Sequence, residues 1–188
     1  MTKIGIVTGS SREGRVSKQV ADYILDRANK LGLEETEFEV VDIKDYPLPL
    51  LDSVPPAMLN KVYELDEITT WSKKIDSFDG FIFVTPEYNK AISGVLKNHI
   101  DQLGSEWMGK PAGLVGYGST LGVTAVQALR LILANFNMPT VGPFGAFSLF
   151  HDFKDMTEFA PSEVHEGTID TVIKTTTDWA KKLNPKAY

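Results

Sequence analysis

The sequence predicts an α/β protein built on a doubly wound, five-stranded parallel sheet, with helices on both faces in three α/β/α layers. Three observations carry this. The strand segments are short and almost wholly apolar, as strands covered on both faces must be. Stripes of apolar residues three or four apart, the mark of amphipathic helices, separate them. The units alternate regularly and without internal sequence repeats. The 188 residues fit one domain, 1–188, because no stretch rich in Pro, Gly or Ser divides them into two cores.

The first strand is Ile4 to Thr8, ending at Gly9. Val16, Val20, Ile24, Ala28 and Leu31 then mark a helix, and Gly32 supplies its stop. Phe38 to Asp42 is the second strand, and the glutamates at 34, 35, 37 and 39 predict a solvated edge. A proline-studded connection, Tyr46 to Pro56, leads to a helix marked by Ile68, Trp71, Ile75 and Phe78. Phe81 to Val84 is the third strand, Ser93 to Leu103 a helix, Ala112 to Tyr117 the fourth strand and Val123 to Asn137 a helix. The fifth strand is expected over Thr140 to Val141 with Phe144 to Phe147, and the last helix over Ser162 to Leu183 with Ser162 as its N-cap.

Composition narrows the function. With 25 acidic and 19 basic residues the net charge is −6, which disfavours nucleic acid as a partner, since that binding rests on neutralising phosphates. There are no cysteines, so disulfides, thiolate metal sites and cysteine nucleophiles are excluded, and redox chemistry would require a bound cofactor. No segment approaches the ~20 apolar residues that span a bilayer, and Met1 to Val7 is too short an apolar start for a signal peptide, so the expected place is the cytoplasm.

In doubly wound sheets ligands sit at the carboxyl ends of the strands, so the loops after strands one, three and four matter most. The first reads GSSREGRVS, Gly9 to Ser17, and opens into a helix. Free N–H groups at that helix start, hydroxyls from Ser10, Ser11 and Ser17, and the cations Arg12 and Arg15 suit a terminal phosphate. It is not a nucleotide-hydrolysing P-loop: Arg15 stands where the lysine belongs and Val16 where the magnesium-binding hydroxyl belongs. The third-strand loop is TPEYN, Thr85 to Asn89, in which Pro86 stiffens the turn so that the N–H groups after it face outward at fixed positions. Glu87 reads either as a general base or as a cap. The fourth-strand loop, Gly116 to Gly122, is one residue too long for the dinucleotide fingerprint, and its glycines with Ser119 let backbone approach the edge of a flat ring.

Together these loops, with the later GSEWMGKPA segment from Gly104 to Ala112, resemble the NADPH-dependent FMN reductase family, whose members include azo, quinone and chromate reductases. The resemblance covers most of the chain and implies a flavodoxin-like fold with strand order 2-1-3-4-5. It also implies an FMN-dependent oxidoreductase in which hydride passes from NADPH or NADH to FMN and on to a small-molecule acceptor in ping-pong fashion. On it, Ser10, Arg12, Arg15, Val16 and Ser17 would hold the FMN phosphate, Pro86, Glu87, Tyr88 and Asn89 the isoalloxazine, and Gly118 and Ser119 its other edge. Family members often carry two adjacent glycines where Gly122 is here followed by Val123, which bears on the shape of the pocket.

The flavin would carry the chemistry, so no catalytic acid or base is assigned, and the scattered His99, His151 and His165 imply no metal. Tyr88, Trp107 and Phe147 are candidates to stack on the ring or to fill the core, and Trp71 and Trp179 read as core. The helix from Val123 is apolar on more than one face, so it and the helix bearing Ile92, Val95, Leu96 and Ile100 predict a homodimer or homotetramer contact, with Leu133 or Phe136 facing outward. An electron-carrier flavodoxin and a flavin-loaded redox sensor are the competing readings. Arg12, Arg15 and the modest negative charge favour the enzyme.

Overall fold

The computed structural model describes residues 1–183; residues 184–188, assigned to the same domain by the sequence, lie outside the described residues. Five parallel strands, β1 (Thr2–Thr8), β2 (Thr36–Val41), β3 (Gly80–Pro86), β4 (Ala112–Gly118) and β5 (Gly145–Ser148), lie in the order β2-β1-β3-β4-β5, as the resemblance implies. The winding reverses between β1 and β3, the point at whose carboxyl ends such sheets hold ligands.

Side chains along β3 explain why a central strand reads as one apolar run. Phe81 and Phe83 point into one core with α2 (Asp66–Asp76), α3 (Gly94–Asp101) and α4 (Val123–Ala134). Ile82 and Val84 point into the other with α1 (Ser17–Leu31) and α5 (Glu166–Leu183). The period of two is present, but both phases are buried. Each fully buried side chain of this kind stabilises by about 1.5–3 kcal/mol relative to exposure. Among the described residues no helix is long and apolar enough to cross a membrane.

Several boundaries differ from expectation, each for a local reason. The second strand starts earlier, at Thr36, and stops before Asp42, whose side chain accepts from Lys44 N–H and turns the chain into a short 3₁₀ segment. The fifth strand covers only Gly145–Ser148. Thr140 keeps an isolated bridge to Ala112, but Gly142 and Pro143 interrupt the ladder, Pro143 having no N–H to give it. α4 ends at Ala134 rather than Asn137, closing through tight three-residue bonds with Asn137 at φ 52°. Ser93 lies outside α3 as its N-cap, its hydroxyl accepting from Leu96 N–H, and the helix stops at Asp101. Ser162 does not cap α5: it precedes a 3₁₀ turn at Glu163–His165 and makes no capping bond, and α5 begins at Glu166. An unanticipated antiparallel hairpin, β6 (Phe153–Lys154) with β7 (Glu158–Phe159), is pinned to α1 by Gln19, which donates to Thr157 O and accepts from Phe159 N–H.

The outward face of α4 is also corrected. Leu133 is fully buried, Phe136 is half-buried against the same core, and Ile92, Leu96 and Ile100 belong to that core too. The large apolar residue that α4 turns to solvent mid-helix is Leu131.

Candidate functional site

The first loop leaves β1 at Gly9, where any β-carbon would sit 2.6 Å from the carbonyl oxygen of Val84 on β3. Only glycine lets the two strand ends pass this closely. Gly14, at φ 66°, lets the loop curl back, and Arg15 N–H donates to Arg12 O. Ser10 Oγ is buried, accepts from Arg12 N–H and lies 3.2 Å from the Tyr88 hydroxyl. Arg12 Nε donates to that hydroxyl at 3.4 Å, and the guanidinium has no acidic partner among the described residues.

Part of Arg15 is engaged within the protein. Its guanidinium is ion-paired with Asp42, a buried carboxylate at the end of β2 that also accepts from Thr8 Oγ1 and Lys44 N–H. Burial pushes the Asp42 carboxyl up, but the bonds from Arg15, Lys44 and Thr8 outweigh it and hold it below the usual range. The charge of Arg15 is thus met within the protein, and the side chain braces the loop against β2. Arg12 is the uncompensated cation.

At the start of α1 the normal caps are missing. Val16 occupies the N-cap with no side-chain bond to offer, and the first turn holds no acid. Ser17 Oγ and Arg15 Nε are buried and, among the described residues, make no hydrogen bond of good geometry. A buried unpaired polar atom costs about 1–3 kcal/mol. Here two of them surround the free N–H groups and positive end of a helix beside Arg12. An anion with several acceptor oxygens removes all these deficits together, so the site fits a terminal phosphate. The buried Tyr117 phenol, on β4 near Ser17, adds a wall that sequence reasoning missed; burial, first of all, pushes its pKa up and keeps it neutral.

The other two loops form one braced unit. Glu87 N–H donates to Tyr117 O, and its side chain accepts from Thr120 Oγ1 at 2.5 Å, Thr124 N–H at 3.1 Å and Lys90 Nζ at 3.3 Å. Burial opposes ionisation, but these bonds, with Ala125 N–H, hold the carboxyl down at about 2. Of the two roles open in sequence, Glu87 has the cap's: it closes the α4 N-terminus and ties the TPEYN loop to the Gly116–Gly122 loop. A carboxyl depressed in the folded state contributes stability that is present above its ordinary value near 4.5 and is lost as pH falls through about 2. Acid unfolding of Glu87→Gln, followed by circular dichroism, should therefore show a shallower loss than wild type between about pH 4.5 and 2.

Tyr88 and Ala91 exchange both backbone bonds, closing a tight turn with Asn89 at φ 51° and Lys90 at φ 70° on its tip. Pro86 is buried at the strand end, while Asn89 and Ser119 are exposed beside Gly118, whose β-carbon would meet that of Glu87 at 3.2 Å. Ser10, Arg12, Ser17, Tyr88, Asn89, Gly118 and Ser119 therefore all lie at the carboxyl ends of β1, β3 and β4, one strip running from an anion pocket to a narrow backbone-lined edge. Trp107 and Phe147 are not part of it. Trp107 is buried against Phe81 and Phe83 and donates to Ile100 O, and Phe147 packs on Tyr23 and Phe159. His99 binds the carbonyls of Val95 and Tyr46, and His165 binds Asp152. Among the described residues no three His, Cys, Asp or Glu side chains gather into a metal-holding group.

The family model for NADPH-dependent FMN reductases matches residues 2–152, three quarters or more of the chain and all three loops. The chain belongs to the NADPH-dependent FMN reductase family. As a member it is an oxidoreductase of the FMN and NAD(P)H class. Its relatives include an NAD(P)H-dependent FMN reductase of Saccharomyces cerevisiae, 35% identical over 74% of this chain and 78% of that protein. A quinone reductase of Pseudomonas putida is 32% identical over 79% and 81%. Among solved structures, the flavoenzyme NAD(P)H:(acceptor) oxidoreductase of Paracoccus denitrificans shares the fold with a TM-score of 0.70 over 97% of this chain and 99% of that one, at 21% identity.

Proposed function

We propose that this FMN reductase is a single domain that binds one FMN at the strip described above and passes electrons from NAD(P)H to a quinone, azo compound, free flavin or chromate, donor and acceptor using the same site in turn. The observation that carries the proposal is the uncapped α1 terminus, with its orphaned Ser17 Oγ beside the unpaired Arg12. Ser10, Arg12, Ser17, the unpartnered Nε of Arg15 and the N–H groups that follow Val16 would hold the phosphate, while the Arg15–Asp42 ion pair keeps the loop in shape. Pro86, Glu87, Tyr88 and Asn89 would carry one edge of the ring and Gly118 and Ser119 the other. Bound FMN supplies two-electron transfer. The chain's own residues bind it, orient it and keep the two ring loops together through Glu87.

The test is a titration of the cofactor-free protein with FMN and with FAD. FMN should bind at about one per chain and FAD much more weakly, because an adenylate must pass through a loop closed by Arg12 and the Tyr88 hydroxyl. The FMN-loaded protein should then oxidise NADPH over many turnovers with a quinone. Equal affinity for the two flavins would overturn the phosphate assignment.

NAD(P)H as donor supports a cytoplasmic enzyme, since that donor is regenerated there. We also propose a homodimer, through a surface other than α4. The connection between β2 and α2 exposes Leu50, Val54 and Val62 around a cavity of about 210 Å³, and Met58 is exposed on the same connection. Met58→Glu should give monomers by sedimentation, whereas Leu131→Glu should leave the assembly unchanged.

A further inference from the structure

Two costs coincide at Leu121. It is a large apolar side chain, 41% exposed, and its backbone is held at φ 63°, a left-handed conformation in which glycine or asparagine is expected. Such strain is of order 1–3 kcal/mol, and where it persists it points toward function. On the neighbouring loop after β5, Phe150 is 63% exposed. That loop is rigidly held: Asp152 is buried, accepts from Ser148 N–H at 2.7 Å and binds His165 at 2.8 Å, while Phe150 N–H donates to Ser148 Oγ. The two loops meet at one atom. Gly118 O accepts both Leu121 N–H at 3.2 Å and Leu149 N–H at 3.1 Å, and Gly118 is the residue assigned to the ring edge.

We infer that Leu121 and Phe150 form an apolar shelf beside the flavin ring that selects flat, ring-shaped electron acceptors of the quinone class, so that both residues set acceptor specificity and neither takes part in holding FMN. This rests on the FMN reading above. The shelf has what a planar apolar acceptor requires: two large, exposed apolar side chains on loops that backbone bonds tie to Gly118, the residue assigned to the ring edge. Nothing about it suits the phosphate, which is bound at the opposite end of the strip.

The experiment measures equilibrium binding of a 1,4-naphthoquinone to oxidised, FMN-loaded protein by calorimetry with no NAD(P)H present, so that no turnover intervenes. Leu121→Gly and Phe150→Ala should each weaken binding about five- to twentyfold, the loss of one side chain's apolar contact, with FMN affinity and sedimentation as in wild type. Leu121→Gly suits the existing φ, so its Tm should be no lower than wild type, and Leu121→Asn provides a second variant that accepts this backbone. Unchanged naphthoquinone affinity in both variants would overturn the shelf. A change in sedimentation would overturn it too, by showing the side chains to be a subunit contact. Failure of the wild-type protein to bind FMN at all would overturn the underlying reading first, and is seen before any variant is made.

Discussion

Arg12→Ala should weaken FMN binding by ~1.5–3 kcal/mol, the range for a hydrogen bond to a charged group, or roughly 10- to 150-fold. The fold should be untouched, because among the described residues Arg12 makes no ion pair and its side chain bonds only Tyr88. Activity should return when FMN is raised above the new Kd. Arg15→Ala should behave differently. It strands the buried Asp42 carboxylate, so it should lower Tm as well as flavin affinity, and added FMN should restore it incompletely. Changes at Asn89 or Ser119 should instead alter turnover or acceptor preference with FMN still bound. Kinetics at saturating FMN separate these outcomes: an Arg12→Ala enzyme that stays inactive when fully loaded would move Arg12 from phosphate binding to electron transfer or donor binding.

The second large effect concerns the backbone. Gly122 sits at φ 71°, and a β-carbon there would lie 2.4 Å from Tyr117 N and 2.6 Å from Gly116 C, main-chain atoms of β4 with no freedom to yield. Left-handed strain and overlap together predict that Gly122→Ala destabilises by at least ~3 kcal/mol, a fall in Tm of about 6–12 °C for a chain of this size. Gly14 is the control. It has a similar φ of 66° but nothing within 4 Å of the added carbon, so Gly14→Ala should cost only ~1 kcal/mol. Calorimetric melts of the two variants compare directly.

These two cases also mark how far sequence reasoning reached. The apolar runs Ile4–Thr8 and Phe81–Val84 identify doubly covered strands because burial on both faces leaves no polar phase, and the positions of the three loops follow from that. What stayed hidden depends on register. The partner of Arg15 is Asp42, 27 residues away, and the two meet only because β1 and β2 are neighbours in parallel register, so no local stretch of sequence shows their ion pair. Tyr117 reaches the α1 terminus for a similar reason, and in sequence it reads as one more apolar strand residue. Leu133 and Phe136 looked surplus on an amphipathic helix, but α4 shares a core with α2 and α3 as well as the sheet, and that core uses more than one stripe. The β6–β7 hairpin has two residues per strand, too few for alternation to register.

The two edges of the sheet have a consequence for how copies of the chain can meet. β2 pairs with a neighbour on one side only, which leaves a row of backbone donors and acceptors open to another strand. Its Glu37 and Glu39, paired with Lys3 on β1 and Lys74 on α2, would meet the glutamates of a second β2 approaching in register. The far edge, β5, spans four residues and offers little template. Sheet extension from copy to copy, the route to ribbons and fibrils, is therefore blocked at both ends, by charge at one and by shortness at the other. The helical and loop surfaces are the ones left for a contact between copies.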